Sequence, residues 1–238
     1  MEKKQSVTVC PIKKNEISSN YLLYRAARNG LYGQRSEYAS SSITDAMFVY
    51  LDGAPSPESI NALDKTYRLK PLVCLTDSWE TFIKENHPDA RIFKRYMMKP
   101  SCHFNFDSQI SLPDGFDVSL FDENAFEIHP FSHGENYPSF AAFQKEGAGA
   151  VVWHNQKIVA SASSFLTFNH EIELDISTEE AYRGKGLATA CLNLMLRDCQ
   201  ERGIRVHWDA QNEISLHLAE KFGFTPEGCY SVYVLPGK

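Results

Sequence analysis

The stretch Glu173-Leu-Asp-Ile-Ser-Thr-Glu-Glu-Ala-Tyr-Arg-Gly-Lys-Gly-Leu-Ala-Thr-Ala190 constrains this chain more than any other. Its first residues read as a strand, and Arg183-Gly184-Lys185-Gly186 then forms a tight turn in which glycines let the backbone curl without Cβ clashes. An amphipathic helix follows, and the N-terminus of a helix points unpaired N–H groups and the positive end of its dipole at whatever lies before it. Strand, glycine turn and helix start together form a cradle for a phosphate or pyrophosphate. Arg183 and Lys185 add positive charge to it.

The surroundings decide what kind of sheet feeds the cradle. Residues 149–153 and 157–168 are rich in Val, Ala, Ser and Phe around a His154-Asn155-Gln156 turn, the pattern of an antiparallel hairpin. Asn169-His170 is short enough to join residues 171–178 as a further hairpin strand. Residues 187–202 place Leu187, Cys191, Leu194, Met195 and Cys199 at helical spacing, with Gly203 at the stop. The strand predicted at 204–210 then runs parallel to 171–178, because a crossover helix separates them. Asn212 opens another helix that Gly223 ends, and residues 229–235 form a last strand.

Upstream, helices are predicted at 21–32, 57–67 and 76–85, and strands at 47–51, 72–75 and 91–98, with 1–20 a loosely docked start and 40–44 a polar break. Pro113 and Asp114-Gly115 sit in a polar stretch, 101–115, that reads as a boundary. The expectation is an α/β (α+β) chain with a smaller N-terminal α/β domain at 1–111 and a second domain at 112–238. A strand at 116–121 and helical pieces within 122–143 open the second domain.

Charge narrows the partners. The formal net charge of −6 is concentrated in residues 119–238, which carry −7, while 1–118 carry +1. An acidic half disfavours nucleic acid, whose binding is dominated by phosphate attraction. No run approaches the roughly 20 apolar residues of a membrane span, and the polar start lacks a signal peptide, so a cytoplasmic location is expected. The six cysteines are scattered without a CxxC pair, which argues against a zinc site or disulfide framework and for reduced thiols. Cys191 and Cys199 read as small core residues, with a nucleophilic role as the alternative.

A glycine turn between strand and helix admits two readings. Gly184-Lys-Gly186 with Asp209 further on fits the start of a dinucleotide-binding fingerprint, but Thr189 stands at the third glycine and the turn is charged. The antiparallel hairpins before it also leave no doubly wound parallel sheet to build. No G-x-x-x-x-G-K-[ST] string occurs. Arg183-Gly-Lys-Gly186-Leu-Ala188, by contrast, resembles the acyl-CoA signature of the GNAT N-acetyltransferase superfamily, Arg/Gln-x-x-Gly-x-Gly/Ala. The second element of that family, an Asn opening a helix that ends in Gly-Phe, matches Asn212-Glu-Ile-Ser215 running to Phe222-Gly223-Phe224. The resemblance covers about residues 116–238. Trp208-Asp-Ala-Gln-Asn212 and the long N-terminal region are similar to the zwittermicin-resistance-type branch.

The resemblance implies a GNAT fold, a mixed central sheet in which 171–178 carries a bulge near its end and splays in a V from 204–210. It implies an N-acetyltransferase that uses acetyl-CoA as cosubstrate, needs no metal, and acetylates a primary amine of a small molecule; a homodimer is compatible with it. The N–H groups of Gly184, Lys185, Gly186, Leu187, Ala188 and Thr189 would hold the pyrophosphate, with Arg183 and Lys185 adding charge-assisted bonds. The pantetheine arm would pair with the backbone of Ile176, Ser177 and Thr178, and Asn212 and Ser215 would contact it. Asn212 reads equally well as a plain N-cap. For the general base, the strand offers Glu171, Glu173 and Asp175 in alternation on one face, with Glu173 first, Asp175 second and Asp209 third. Many family members place a tyrosine, acid toward the departing sulfur, seven residues after the helix-opening Asn; here that residue is Ala219. Tyr230 and Tyr233 are alternative acids, and a non-catalytic acyl-CoA-binding module is the alternative function.

Overall fold

In the computed structural model, residues 9–106, 111–130 and 136–237 are described. Part of the expected loose start (1–8), of the boundary stretch (107–110) and of the helical region (131–135) lies outside them. The chain forms two compact units whose segments interleave: residues 1–98, 210–216 and 226–238 make one, and residues 99–209 and 217–225 the other. A single cut near residue 111 therefore does not describe how the chain is divided.

The first unit begins with two short helices, α1 (Lys14–Asn20) and α2 (Leu22–Arg28), within a region expected to be loose up to residue 20. Ile17 is the buried residue of α1, too little apolar signal to read from sequence. A seven-stranded sheet follows, built from β1 (Gln34–Glu37), β2 (Ser41–Asp45), β3 (Val49–Gly53), β4 (Leu72–Cys74), β5 (Arg91–Met98), β11 (Asp209–Ala210) and β12 (Pro226–Val234). Its order is β1-β2-β3-β4-β12-β5-β11, so the last strand of the chain is inserted between β4 and β5. The expected polar break at 40–44 is instead strand β2, with Ser41, Ser42, Ile43 and Thr44 all buried. Hydroxyl side chains in a buried strand defeat a reading based on polarity. Helices α3 (Pro57–Ala62), which continues into a π turn at Leu63–Tyr67, and α4 (Asp77–Asn86) fall where the capping signals put them.

The second unit holds a five-stranded sheet in the order β10-β9-β8-β7-β6, made of β6 (Phe116–Leu120), β7 (Gly149–His154), β8 (Lys157–Phe168), β9 (Glu171–Thr178) and β10 (Arg205–His207). Helices α5 (Glu123–Ile128) and α6 (Phe140–Glu146) begin at Asp122 and Ser139, whose side chains accept N–H bonds at 2.7 and 3.2 Å. Helix α7 (Leu187–Glu201) packs across the strands and buries Leu187, Cys191, Met195 and Cys199 along one stripe. Helix α8 (Glu213–Lys221) precedes β12.

Two details depart from the expected sheet. The strand predicted at 204–210 breaks at Trp208: β10 ends at His207, and Asp209–Ala210 belongs to the other sheet. The irregularity expected near the end of residues 171–178 lies on the neighbouring strand, where Phe165 is the extra residue between Ser164 and Leu166 while β9 runs without interruption. The displaced Phe165 carbonyl is satisfied off the ladder by the Asn136 side-chain amide at 2.7 Å.

An ionic knot ties α1, α4 and β12 in the first unit. Glu80 accepts bonds from Lys14, from Lys84 at 2.7 Å and from the Tyr233 hydroxyl at 2.7 Å. Burial works to raise the Glu80 pKa, but these donors outweigh it and hold the carboxyl at about 2, below its ordinary 4.5. A depressed carboxyl contributes stability above its unfolded pKa and loses it as pH falls toward the folded one. Glu80→Gln should therefore cost on the order of 1–3 kcal/mol near neutrality. The deficit should shrink as pH falls from 4.5 toward 2. Thermal melts of the two proteins across that range check this, and a deficit constant with pH would remove the ionic contribution.

Candidate active site

The cradle forms as its residues dictate. Gly184 and Gly186 both have φ of +78°, the left-handed region that glycine adopts without steric cost. A Cβ built on either would meet nothing within 4 Å, so the turn opens onto free space. Gly186 caps α7 in that conformation, and the first i→i+4 bond runs from Ala190 N to the Gly186 carbonyl at 3.0 Å. N–H groups ahead of that bond have no acceptor inside the helix. No acidic side chain occupies the first turn of α7 to neutralise the dipole. Arg183, Lys185 and both glycines are exposed, Leu187 is buried as the anchor of the helix, and Ala188 and Thr189 are half-buried. The Arg183 Nε donates to the Thr178 carbonyl at 3.3 Å, fixing the turn against the end of β9.

Strand β9 has two edges of different character. Along one, every residue from Glu171 to Thr178 pairs with β8. Along the other, β10 pairs in parallel with Glu171, Ile172 and Glu173 alone. Beyond Glu173 the strands part, and among the described residues no strand pairs with the second edge of Leu174, Asp175, Ile176, Ser177 and Thr178. The V expected from the resemblance is thus present, and its open side ends at the cradle.

The acids stand where alternation put them. Directly paired residues share a face of a sheet, so Glu171, Glu173, Asp175 and Ser177 lie with Ser163 (opposite Asp175) and Ser161 (opposite Ser177). The pairing of Ser161 with Val151 extends this face to β7. Val151 clusters with Ala125 of α5, so α5 covers that side. Glu173 is 7% exposed, and its Oε1 accepts the Asp209 N–H at 3.1 Å. Asp209 thereby meets Glu173 through its backbone N–H. His207, paired in register with Glu173, places Nε2 against the Glu171 carboxylate. Sequence reasoning passed over His207, because a lone histidine in a short strand carries no signal; only the register reveals its partner.

Other expected residues fall elsewhere. His170 sits in the hairpin turn at φ +62°, and its ring contacts the Arg202 carbonyl at 3.3 Å, a structural arrangement. Asn212 and Ser215 belong to the first unit, where the Asn212 Oδ1 accepts the Ser215 N–H at 3.0 Å, as an N-cap does. Ala219 is fully buried. The Tyr233 hydroxyl is committed to Glu80, and burial pushes its pKa up. A cavity of about 810 Å³ lies in the first unit, lined by Lys14, Glu80, Lys94 and Tyr230 among others, and none of the cradle residues lines it.

With this geometry in place, comparison with known proteins is informative. The family model described as GNAT acetyltransferase matches residues 28–233. The chain belongs to the GNAT acetyltransferase family. That match is wider than the motif resemblance at 116–238 and takes in most of the N-terminal region. An uncharacterised N-acetyltransferase of Bacillus subtilis, YdfB, is 28% identical over 167 residues, which span 66% of this chain and 63% of that relative's length. A GCN5-related N-acetyltransferase-like protein from Streptococcus suis superposes with a TM-score of 0.75 at 27% identity, over 93% of this chain and 96% of that one. A GCN5-related N-acetyltransferase from Kribbella flavida shares the fold at a TM-score of 0.59 and 13% identity, over 96% and 97%. The mixed α/β architecture is therefore that of GNAT proteins. Among the described residues, no helix is long and apolar enough to cross a membrane.

The nucleophilic-cysteine alternative does not fit this site. Cys191 and Cys199 are fully buried, and burial pushes both thiols up to about 12. Cys10 is exposed and Cys102 half-buried. Alkylation of the native protein followed by mass spectrometry should label Cys10 and Cys102 and spare Cys191 and Cys199. Rapid labelling of either buried thiol would contradict the packing of α7.

Proposed function

We propose that this GNAT protein transfers an acetyl group from acetyl-CoA to the primary amine of a small molecule, by direct attack. The observation that carries the reading is the unpaired edge of β9 leading into the open Gly184–Gly186 turn at the start of α7. Acetyl-CoA supplies the activated thioester. The N–H groups of residues 184–189 and the Thr189 hydroxyl hold its pyrophosphate, with Arg183 and Lys185 as charged donors. The edge of β9 at Ile176, Ser177 and Thr178 that no described strand pairs accepts the amide-bearing arm as an added strand. A cofactor role for Asn212 and Ser215 rests on the motif resemblance, beside the capping role their hydrogen bond gives them.

Glu173 is the general base. Its buried carboxylate is oriented by the Asp209 N–H and stands at the last residue before the strands part. It takes a proton from the bound ammonium; the amine nitrogen then forms its C–N bond to the acetyl carbon as the C–S bond breaks. The nitrogen sheds its second proton as the amide forms, and water relays that proton to the departing thiolate, since Ala219 provides no phenol. Asp175 is the second carboxylate of the face and Asp209 the support of the first. We place the chain in the zwittermicin-resistance-type branch on the wording of residues 208–212, and in the cytoplasm on its scattered cysteines.

Gly186→Asp separates fold from function, because its Cβ meets nothing within 4 Å while its charge faces the phosphate. It should fold at a cost of about 1–2 kcal/mol for the left-handed backbone, a modest drop in melting temperature, and lose about a hundredfold or more in acetyl-CoA affinity by calorimetry. Unchanged affinity would sink the cofactor placement. Glu173→Gln preserves the acceptor oxygen for the Asp209 N–H, so it should lower kcat by about 10²-fold with acetyl-CoA affinity unaltered. An identical pH–rate profile in the variant would remove Glu173 from the role. Buried Ala219 favours one competing reading, a non-catalytic acyl-CoA-binding module. Tight acetyl-CoA binding with no thiol release on any amine would establish that reading instead.

A further inference from the structure

The face that carries Glu173 holds more polar groups than one proton transfer requires. Glu173 and Asp175 are two residues apart on β9, which puts their carboxylates roughly 7 Å apart along the strand. Directly across from Asp175 and Ser177 stand Ser163 and Ser161 of β8, each 1% exposed. Among the described residues, neither hydroxyl has a hydrogen-bond partner. A buried hydroxyl without a partner costs on the order of 1–3 kcal/mol, and two in register on one strand call for a ligand that completes them. The neighbouring position on β7 is Gly149, where a Cβ would come within 2.6 Å of the Phe121 ring and 3.0 Å of the Phe143 ring. Aromatic faces thus close down beside Ser163. Carboxylate, hydroxyls and aromatic rings make a surface that suits a cation.

We propose that this face is an acceptor subsite for a linear diamine. The reacting amine lies at Glu173, and a second ammonium is held by Asp175 against the Ser163 and Ser161 hydroxyls. The separation of the two carboxylates suits an acceptor whose nitrogens are about four or five methylene groups apart. The second ammonium stays protonated and acts only in recognition, so the transfer chemistry is unchanged. Hydroxyl-bearing amines and plain alkylamines lack the charge that Asp175 selects. The inference deepens the acetyltransferase reading proposed above and rests on it for the role of Glu173.

The test uses the full chain, with putrescine and cadaverine set against n-butylamine, n-pentylamine and aminobutanol. Acetyl-CoA-dependent thiol release should show kcat/KM about tenfold or more higher for the diamines. Asp175→Asn and Ser163→Ala should each erase most of that preference, by losing more on the diamines than on the monoamines. Equal use of monoamines or aminobutanol, or a preference that survives Asp175→Asn, would overturn the subsite. Binding is read separately, as the rise in melting temperature produced by putrescine with CoA present. A rise that Asp175→Asn abolishes supports the subsite even if no acetyl group is transferred, in which case the transferase reading fails alone. No rise and no turnover with putrescine would overturn the subsite whatever acetyl-CoA does.

Discussion

The fork between β9 and β10 is the constraint on which the candidate site depends. Two parallel strands hydrogen-bond over Glu171, Ile172 and Glu173 and then separate, leaving β9 with one edge unpaired up to Thr178. Exposed N–H and C=O groups along a strand edge are a template for another chain. Here the edge leads straight to the positive end of α7, so an extended arm with amide groups and a charged end can satisfy both at once. Trp208 stands at the parting, buried and packed edge-on against Phe224 at 5.3 Å. The Glu173 carboxylate bridges the fork to the Asp209 N–H just beyond it. A site at such a point has its geometry set by the pleat of the sheet and not by a loop.

Much of this was legible because the signals are local. Two glycines flanking Lys185 at a strand–helix junction demand a turn with positive φ, and Gly184 and Gly186 adopt it. A period of two puts Glu171, Glu173 and Asp175 on one face whatever the strand pairs with. The fork itself reads in sequence as one strand, since residues 204–210 contain no breaker and only the competition of two sheets divides them. Phe165, the residue that bulges, sits between Ser164 and Leu166 in a run that alternates small, polar and apolar residues, and nothing in it marks the position. Strand β2 was hidden by its serines, and α1 by having Ile17 as its buried residue. The Glu171–His207 contact and the Ser161 and Ser163 hydroxyls depend on register, which a single sequence does not carry.

Family membership and local chemistry answer different questions here. The family model spans 28–233 and accounts for the fold and the reaction class. It leaves aside why two serine hydroxyls lie buried, without partners among the described residues, in register with Asp175 and Ser177. The acidic excess of the chain falls in residues 119–238, which contain the carboxylate face.

The position of β12 also bears on how the chain is made. This strand lies between β4 and β5 and pairs with both, yet it is formed by residues 226–234, near the end of the chain. Until those residues leave the ribosome, β4 and β5 lack the strand that pairs with both, and each has an edge of unpaired N–H and C=O groups. The second unit, drawn mainly from the contiguous run 99–209, meets most of its partners earlier. Synthesis thus runs against the usual N-terminal-first order: the unit that begins the chain is the last to close. Contacts of such long sequence separation also slow that closure, which exposes the first unit to aggregation for longer than its size alone implies.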